Sequence, residues 1–445
     1  MNSAATAYYP LTQQQLRMMG NSEQGLLGNY LLPGHKEILK YIDPDLLEKA
    51  YQHLLKTDRF FRIKFDFSED EPRMEELPAV KDSIRLVDFS HLPPEEAEKE
   101  ADEFRASETR PLPLDECPLY RVYLLKLSEE WHVIFYIFQH FMADHYSNNV
   151  FLNRLSSVYR DLINGKTPAT QDPKADYLTY SCWQNERLSD TLHGAKAHFW
   201  SQKLKAPMAR AEVATDFPER EGARDLSRNS FYLKLSDADS RAVAQYCRQG
   251  GIMPIAFFMG LYLLLLKRWS GADDQSFLSL FKGRHEYPEL KDALGLFMNL
   301  ALIRYQFGEE MTARHFFKSV QKEIMKVYRN QDFPHRLVGR DLFSLSHYSF
   351  NFFNDHGFDR LSKGNEGRET WITNYAHGEI HLLTFIVLID HNIRLQLHYP
   401  PYRFREERIE HMVEGMEAVL RQVCLDDSIA LSALLSAQSP VRNHL

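Results

Sequence analysis

Two neighbouring stretches, residues 119–127 (LYRVYLLKL) and 131–138 (WHVIFYIF), constrain this chain more than anything else in it. Both are dense in aromatic and β-branched residues, and only Ser128-Glu129-Glu130 separates them. Short apolar runs split by a polar turn predict adjacent strands, a hairpin in a well-buried sheet. The second run ends in Gln139-His140-Phe141-Met142-Ala143-Asp144-His145-Tyr146-Ser147, a polar cluster that precedes a helical pattern over 148–162. Loops at the ends of buried strands are where reactive side chains are presented. A histidine there can take a proton from an amine or hydroxyl, because its pKa lies near working pH. An aspartate four residues later can fix the loop through an ion pair. An HxxxD pair alone is weak evidence in a chain with 19 histidines.

The same mixture extends along the chain. Residues 44–56, 94–107, 190–204, 237–249, 254–268, 312–328 and 405–423 carry helical spacing, the first behind Asp43-Pro44-Asp45 as a start signal. Strands are expected over 276–281, 347–353, 380–389 and 392–398, the last two flanking a tight turn at Asp390-His391. Interleaved helices and strands place the chain in the α/β or α+β class. At 445 residues it is long enough for two or three domains, and the polar connector at 164–176 suggests two lobes, residues 1–170 and 171–445.

Composition narrows the function classes. Net charge is −8, which argues against a nucleic-acid or anionic-membrane surface. The four cysteines, Cys117, Cys182, Cys247 and Cys424, are far apart, which suits a reduced, cytoplasmic protein rather than a disulfide or zinc framework. The longest apolar stretch, residues 252–266, contains Pro254 and stops at Lys267-Arg268, so it reads as a core helix rather than a membrane span. Neither a P-loop nor GxGxxG nor GxSxG occurs, so nucleotide and serine-hydrolase readings lack support. His377, Glu379 and His381 alternate along a strand pattern and can share one face, but they lack the helical HExxH arrangement. A hydrogen-bonded wall is the better reading of them, and no metal is expected.

Residues 111–147, PLPLDECPLYRVYLLKLSEEWHVIFYIFQHFMADHYS, resemble the condensation domains of nonribosomal peptide synthetases, members of the chloramphenicol acetyltransferase-like superfamily. In that family a PL-R-LL strand leads to a second strand ending in HHxxxDGxS. The resemblance continues in order over nearly the whole chain. Thr12, Gln15, Arg17 and Met18 match the family's opening motif, Arg62 and Phe65 its L-R-T-x-F segment, and Tyr177, Tyr180 and Trp183 its Y-x-D-Y-A-V-W segment. Trp269-Ser270-Gly271 through Gly283-Arg284, then residues 294–299 with Arg304, and Asn330-Gln331-Asp332-Phe333-Pro334 match the later ones.

The resemblance implies two chloramphenicol acetyltransferase-like lobes in a V, with the active site at their interface. It implies that His140 is the catalytic residue and that Asp144 pairs with Arg284 from the other lobe. It implies no intrinsic cofactor, a donor carried on the phosphopantetheine arm of a partner carrier protein, and an amine or a second carrier-bound acceptor. Ser147, Asn351 and His381 fall where substrate-tunnel residues are expected. Two positions depart from the motif: Gln139 replaces its first histidine and His145 its glycine. Gln139 can still support the loop through hydrogen bonds, whereas the imidazole of His145 adds bulk. The expectation is a free-standing, monomeric, amide-forming acyltransferase of antibiotic or siderophore biosynthesis. An ester-forming enzyme and a non-catalytic carrier-binding module are the alternatives.

Overall fold

The computed structural model describes residues 7–20, 31–38, 40–170, 176–188, 190, 194–204, 211–218, 228–284, 287–333, 345–354, 381–389 and 392–436. The chain divides into two compact units.

The first unit takes the described residues up to Asp190 together with Lys282–Met298. Its elements are β1 (Ala7–Pro10), α1 (Gln13–Gly20), β2 (Leu31–Ile38), α2 (Pro44–Thr57), β3 (Ile63–Asp66), β4 (Arg73–Glu76), β5 (Arg85–Asp88), α3 (Pro94–Glu108), β6 (Tyr120–Lys126), β7 (His132–Gln139), α4 (His145–Ile163) and α5 (Tyr177–Glu186). β6 and β7 pair antiparallel as the expected hairpin, Tyr120 opposite Phe138, inside a four-stranded sheet ordered β2-β7-β6-β5. Every residue of β7 is buried, which explains its unbroken apolar text. β1, β4 and β3 form a second, small sheet. Asp43 caps α2 by accepting from the Asp45 and Leu46 amides, with Pro44 in the first turn.

The second unit contains α6 (Ala195–Lys203), β8 (Asn229–Lys234), α7 (Asp237–Gly250), α8 (Pro254–Ser270), β9 (Asp274–Phe281), β10 (Asn299–Gln306), α9 (Ala313–Arg329), β11 (Tyr348–Asn354), β12 (Leu383–Ile389), β13 (Ile393–Tyr399), α10 (Glu406–Leu425) and α11 (Leu431–Ser436). Its sheet is ordered β10-β9-β11-β12-β13-β8, with β11 parallel to both neighbours and the other pairs antiparallel. α8 is the expected core helix, buried without interruption from Ala256 to Leu266. No described helix is by itself long and apolar enough to cross a membrane.

Two boundaries differ from expectation. The first unit runs past residue 170 because α5 packs into its core through Tyr177, Leu178 and Tyr180. It also recruits Lys282–Met298, whose Leu290, Leu294, Leu296 and Phe297 belong to the same apolar cluster. The helix expected over 190–204 is formed over Ala195–Lys203 among the described residues. Asp390 and His391, the expected turn, lie outside the described residues, as do His377 and Glu379.

Candidate active site

The polar cluster after β7 is held from three directions. Gln139, wholly buried, turns its Oε1 back to accept the Phe141 amide, and the Met142 amide donates to the Gln139 carbonyl at 3.1 Å. From α1, the Gln15 Nε2 donates to the Phe141 carbonyl at 3.1 Å. The Phe141 ring packs edge-on against Phe65 with centroids 4.7 Å apart. Gln15 itself is fixed by Thr12, whose hydroxyl lies 2.8 Å from that of Tyr177. Two of the motif residues at the start of the chain, Thr12 and Gln15, are therefore scaffold for this one loop.

Asp144 closes the loop and starts α4. It is the N-cap, and its carboxylate accepts from the Ser147 amide and the Ser147 hydroxyl, both at 2.9 Å. The Arg284 guanidinium bridges both carboxylate oxygens, at 2.9 and 3.3 Å, and the Phe297 amide donates to Oδ2 at 3.0 Å. Arg284 is sandwiched between the rings of Tyr146 and Phe297, 4.6 and 4.2 Å from their centroids. It donates further to the Ala293 and Lys282 carbonyls. A charge this deep in the unit is tolerable because nearly every donor finds an acceptor. Arg284 lies in the 282–298 segment, so the pair is internal to the first unit rather than a link from the other lobe.

Ser147 also differs from expectation. It is fully buried, with its hydroxyl oxygen 2.8 Å from the Gly295 carbonyl and 2.9 Å from Asp144 and accepting from the Gly295 amide, so it does not face a tunnel. Gly295 is required there: a Cβ would sit 2.3 Å from Tyr177 Cδ2. Gln15 and Gly295 were matched to family motifs in the sequence without a role, because their partners lie more than a hundred residues away.

His140 is partly exposed, and its Nδ1 lies 2.8 Å from the Ala143 carbonyl. A carbonyl can only accept, so Nδ1 carries a proton. In the neutral ring this leaves the lone pair on Nε2. Burial pushes the His140 pKa down, and the Arg17 guanidinium pushes the same way, against the Ala143 carbonyl and Asp144. Burial lowers Arg17 itself to about 10. The site therefore holds a neutral imidazole with a basic nitrogen. His145 is the first residue of α4 and half-buried, one position beyond the Asp144 cap.

Asn351 and His381 belong to the second unit. Asn351 is buried on β11, and His381, just before β12, is buried with its pKa pushed down to about 4 by that burial and by Arg228 and His347.

A sequence model described as Condensation domain matches residues 5–439. Gramicidin S synthase 2 of Aneurinibacillus migulanus is 22% identical over 443 residues, covering 96% of this chain and 9% of that protein. Bacitracin synthase 1 of Bacillus licheniformis is 21% identical over 437 residues, covering 96% of this chain and 8% of that protein. The chain thus spans about a tenth of the length of these relatives. The condensation domain of the monacolin K polyketide synthase MokA superposes with a TM-score of 0.81 at 14% identity, covering 96% of this chain and 99% of that one. The starter condensation domain of rhizomide synthetase RzmA, in complex with C8-CoA, superposes with a TM-score of 0.76 at 17% identity, covering 96% and 97%.

Proposed function

The chain belongs to the condensation-domain family, and from that premise we propose that it joins an acyl or aminoacyl thioester to an amine acceptor, forming an amide. The donor arrives on the phosphopantetheine arm of a carrier protein, and His140 is the catalytic residue. The acceptor nitrogen attacks the thioester carbonyl carbon while Nε2 of His140 takes the nitrogen's proton. The C–N bond forms, the C–S bond breaks, and the departing thiolate recovers that proton. No cofactor of the protein's own takes part, because the thioester supplies the driving force. Gln139 and Asp144 hold the loop, Arg284 holds Asp144, and His145 borders the acceptor.

One observation carries this reading. The Nδ1–H bond to the Ala143 carbonyl leaves Nε2 as the basic nitrogen, and burial keeps the ring neutral at working pH. Proximity of two bound reactants adds most of the remaining acceleration.

The test is His140→Ala, assayed by intact mass of an acyl-loaded carrier with a panel of amines. The variant should lose about 10²–10⁴-fold in rate, the typical contribution of a general base. Equal rates for wild type and variant, with carrier binding retained, would make the protein a binding module. Product with alcohols but not amines would make it an ester-forming enzyme.

A further inference from the structure

The sheet of the second unit has two buried faces of opposite character. One face carries Tyr348, Phe350, Leu383, Phe385, Leu395 and Leu397 and belongs to the apolar core. The register places Ser349, Thr384 and His398 in one row on the other face, with Ser349 and Thr384 hydroxyls 2.7 Å apart. Asn351, Ile386 and Gln396 form the next row. All six are buried, yet Ile386 joins no apolar cluster. Gln396 is 0% exposed, and neither its Oε1 nor its Nε2 has a hydrogen-bond partner among the described residues.

Buried amides are normally paired, because each orphaned donor or acceptor loses its hydration without return. A sequence free to choose would place an aliphatic residue opposite Ile386. The polar side chains gather on one face, in two adjacent rows with buried Arg394 beyond them, and among the described residues the central amide has both of its functions unspent. That is the pattern of a surface shaped for something that brings its own hydrogen bonds.

We propose that this face, centred on Gln396, is a subsite that recognises an uncharged amide group of the substrate. A primary or secondary amide offers one donor and one acceptor, which complements the glutamine's acceptor and donor. Ser349, Thr384 and Asn351 supply neutral polar neighbours, while buried His398 and Arg394 flank Gln396 along the same face of β13. The proposal deepens the condensing-enzyme reading by naming a chemical class for the substrate, and it rests on that reading only for the identity of the substrate as a thioester. The amide comes either from the acyl portion or from the pantetheine arm.

The experiment uses the full chain and measures binding, not turnover, so that it stands apart from the fate of His140. Gln396→Met keeps the side-chain length and removes both polar functions. Affinities of wild type and Q396M are measured calorimetrically for three probes: the S-ethyl thioesters of 4-carbamoylbutanoic and hexanoic acids, the second free of any amide, and free pantetheine. The expected result is a loss of about tenfold for the carbamoyl probe or for pantetheine, which identifies the source of the amide. Hexanoyl affinity should hold or rise, and the melting temperature of the unliganded variant should hold or rise. Equal affinities of Q396M and wild type for every probe would overturn the proposal. So would wild type binding none of them, or a fall in the variant's melting temperature, which would make the amide structural. If wild type binds the carbamoyl probe but forms no product with any acceptor, the subsite stands and the catalytic reading falls.

Discussion

Asp144 serves two purposes with one carboxylate. It caps α4, and it neutralises Arg284 in the interior of the first unit. The cap alone is worth about 1 kcal/mol, whereas stranding one charge of a buried pair costs about 3–5 kcal/mol. Arg284→Met should therefore destabilise the protein by the larger amount in urea titration, since the buried Asp144 carboxylate would lose its partner. Arg284→Lys should recover only part of that loss, because an ammonium cannot span both oxygens or lie flat between Tyr146 and Phe297. His140 and Asp144 were legible as residues because a buried strand runs straight into them. Arg284 became legible only through family resemblance. Gly295 and Gln15 were legible only as motif positions, and their roles were not, because what they do depends on neighbours that only folding brings near.

Among the elements, those read correctly are the ones whose burial is complete or whose amphipathicity is strong. α8 combines both kinds of signal: Pro254 in its first turn, an apolar body, and Gly271 at its C-cap with φ +73°. The elements passed over are short or lie at sheet edges. β2, LLPGHKEI, was assigned no element from the sequence, since Pro33-Gly34 interrupts any strand pattern, yet it is the edge strand beside β7. Its glycine is needed because the Tyr136 ring would meet a Cβ at 2.4 Å. Gly260 in α8 plays a similar part toward α9, where a Cβ would approach the Phe317 ring to 2.5 Å. Gly260→Ala should cost about 1–3 kcal/mol by overpacking, despite alanine's better helix propensity. Thermal unfolding of the variant checks this, and an unchanged or raised midpoint would contradict the packing seen here.

At the scale of the molecule, buried histidines set the response to acid. His381 and His398, 7% and 5% exposed, are both pushed down to about 4 from the ordinary 6.5. Burial is the main cause in each, with Arg228 adding to it. Their neutral forms suit the fold, so the unfolded chain binds protons that the native state refuses. Their contribution to stability is complete above pH 6.5, falls as pH drops from 6.5 toward 4, and levels off below that. Denaturant midpoints across that window should decline by an amount equivalent to roughly 1–3 kcal/mol per histidine. His398→Gln should flatten the slope.

The chain's path between its two units has a consequence for anyone who would take the protein apart. It leaves the second unit after Phe281, contributes Lys282–Met298 to the first, and rejoins its sheet at Asn299. No single cut in the gene releases either half intact. A fragment stopping at Asp190 would encode the reactive loop and its aspartate, yet omit the guanidinium and the aromatic wall that make that carboxylate tolerable. Inheritance of the loop therefore has to be inheritance of both halves together, which makes recombination inside this chain far more hazardous than exchange of the whole.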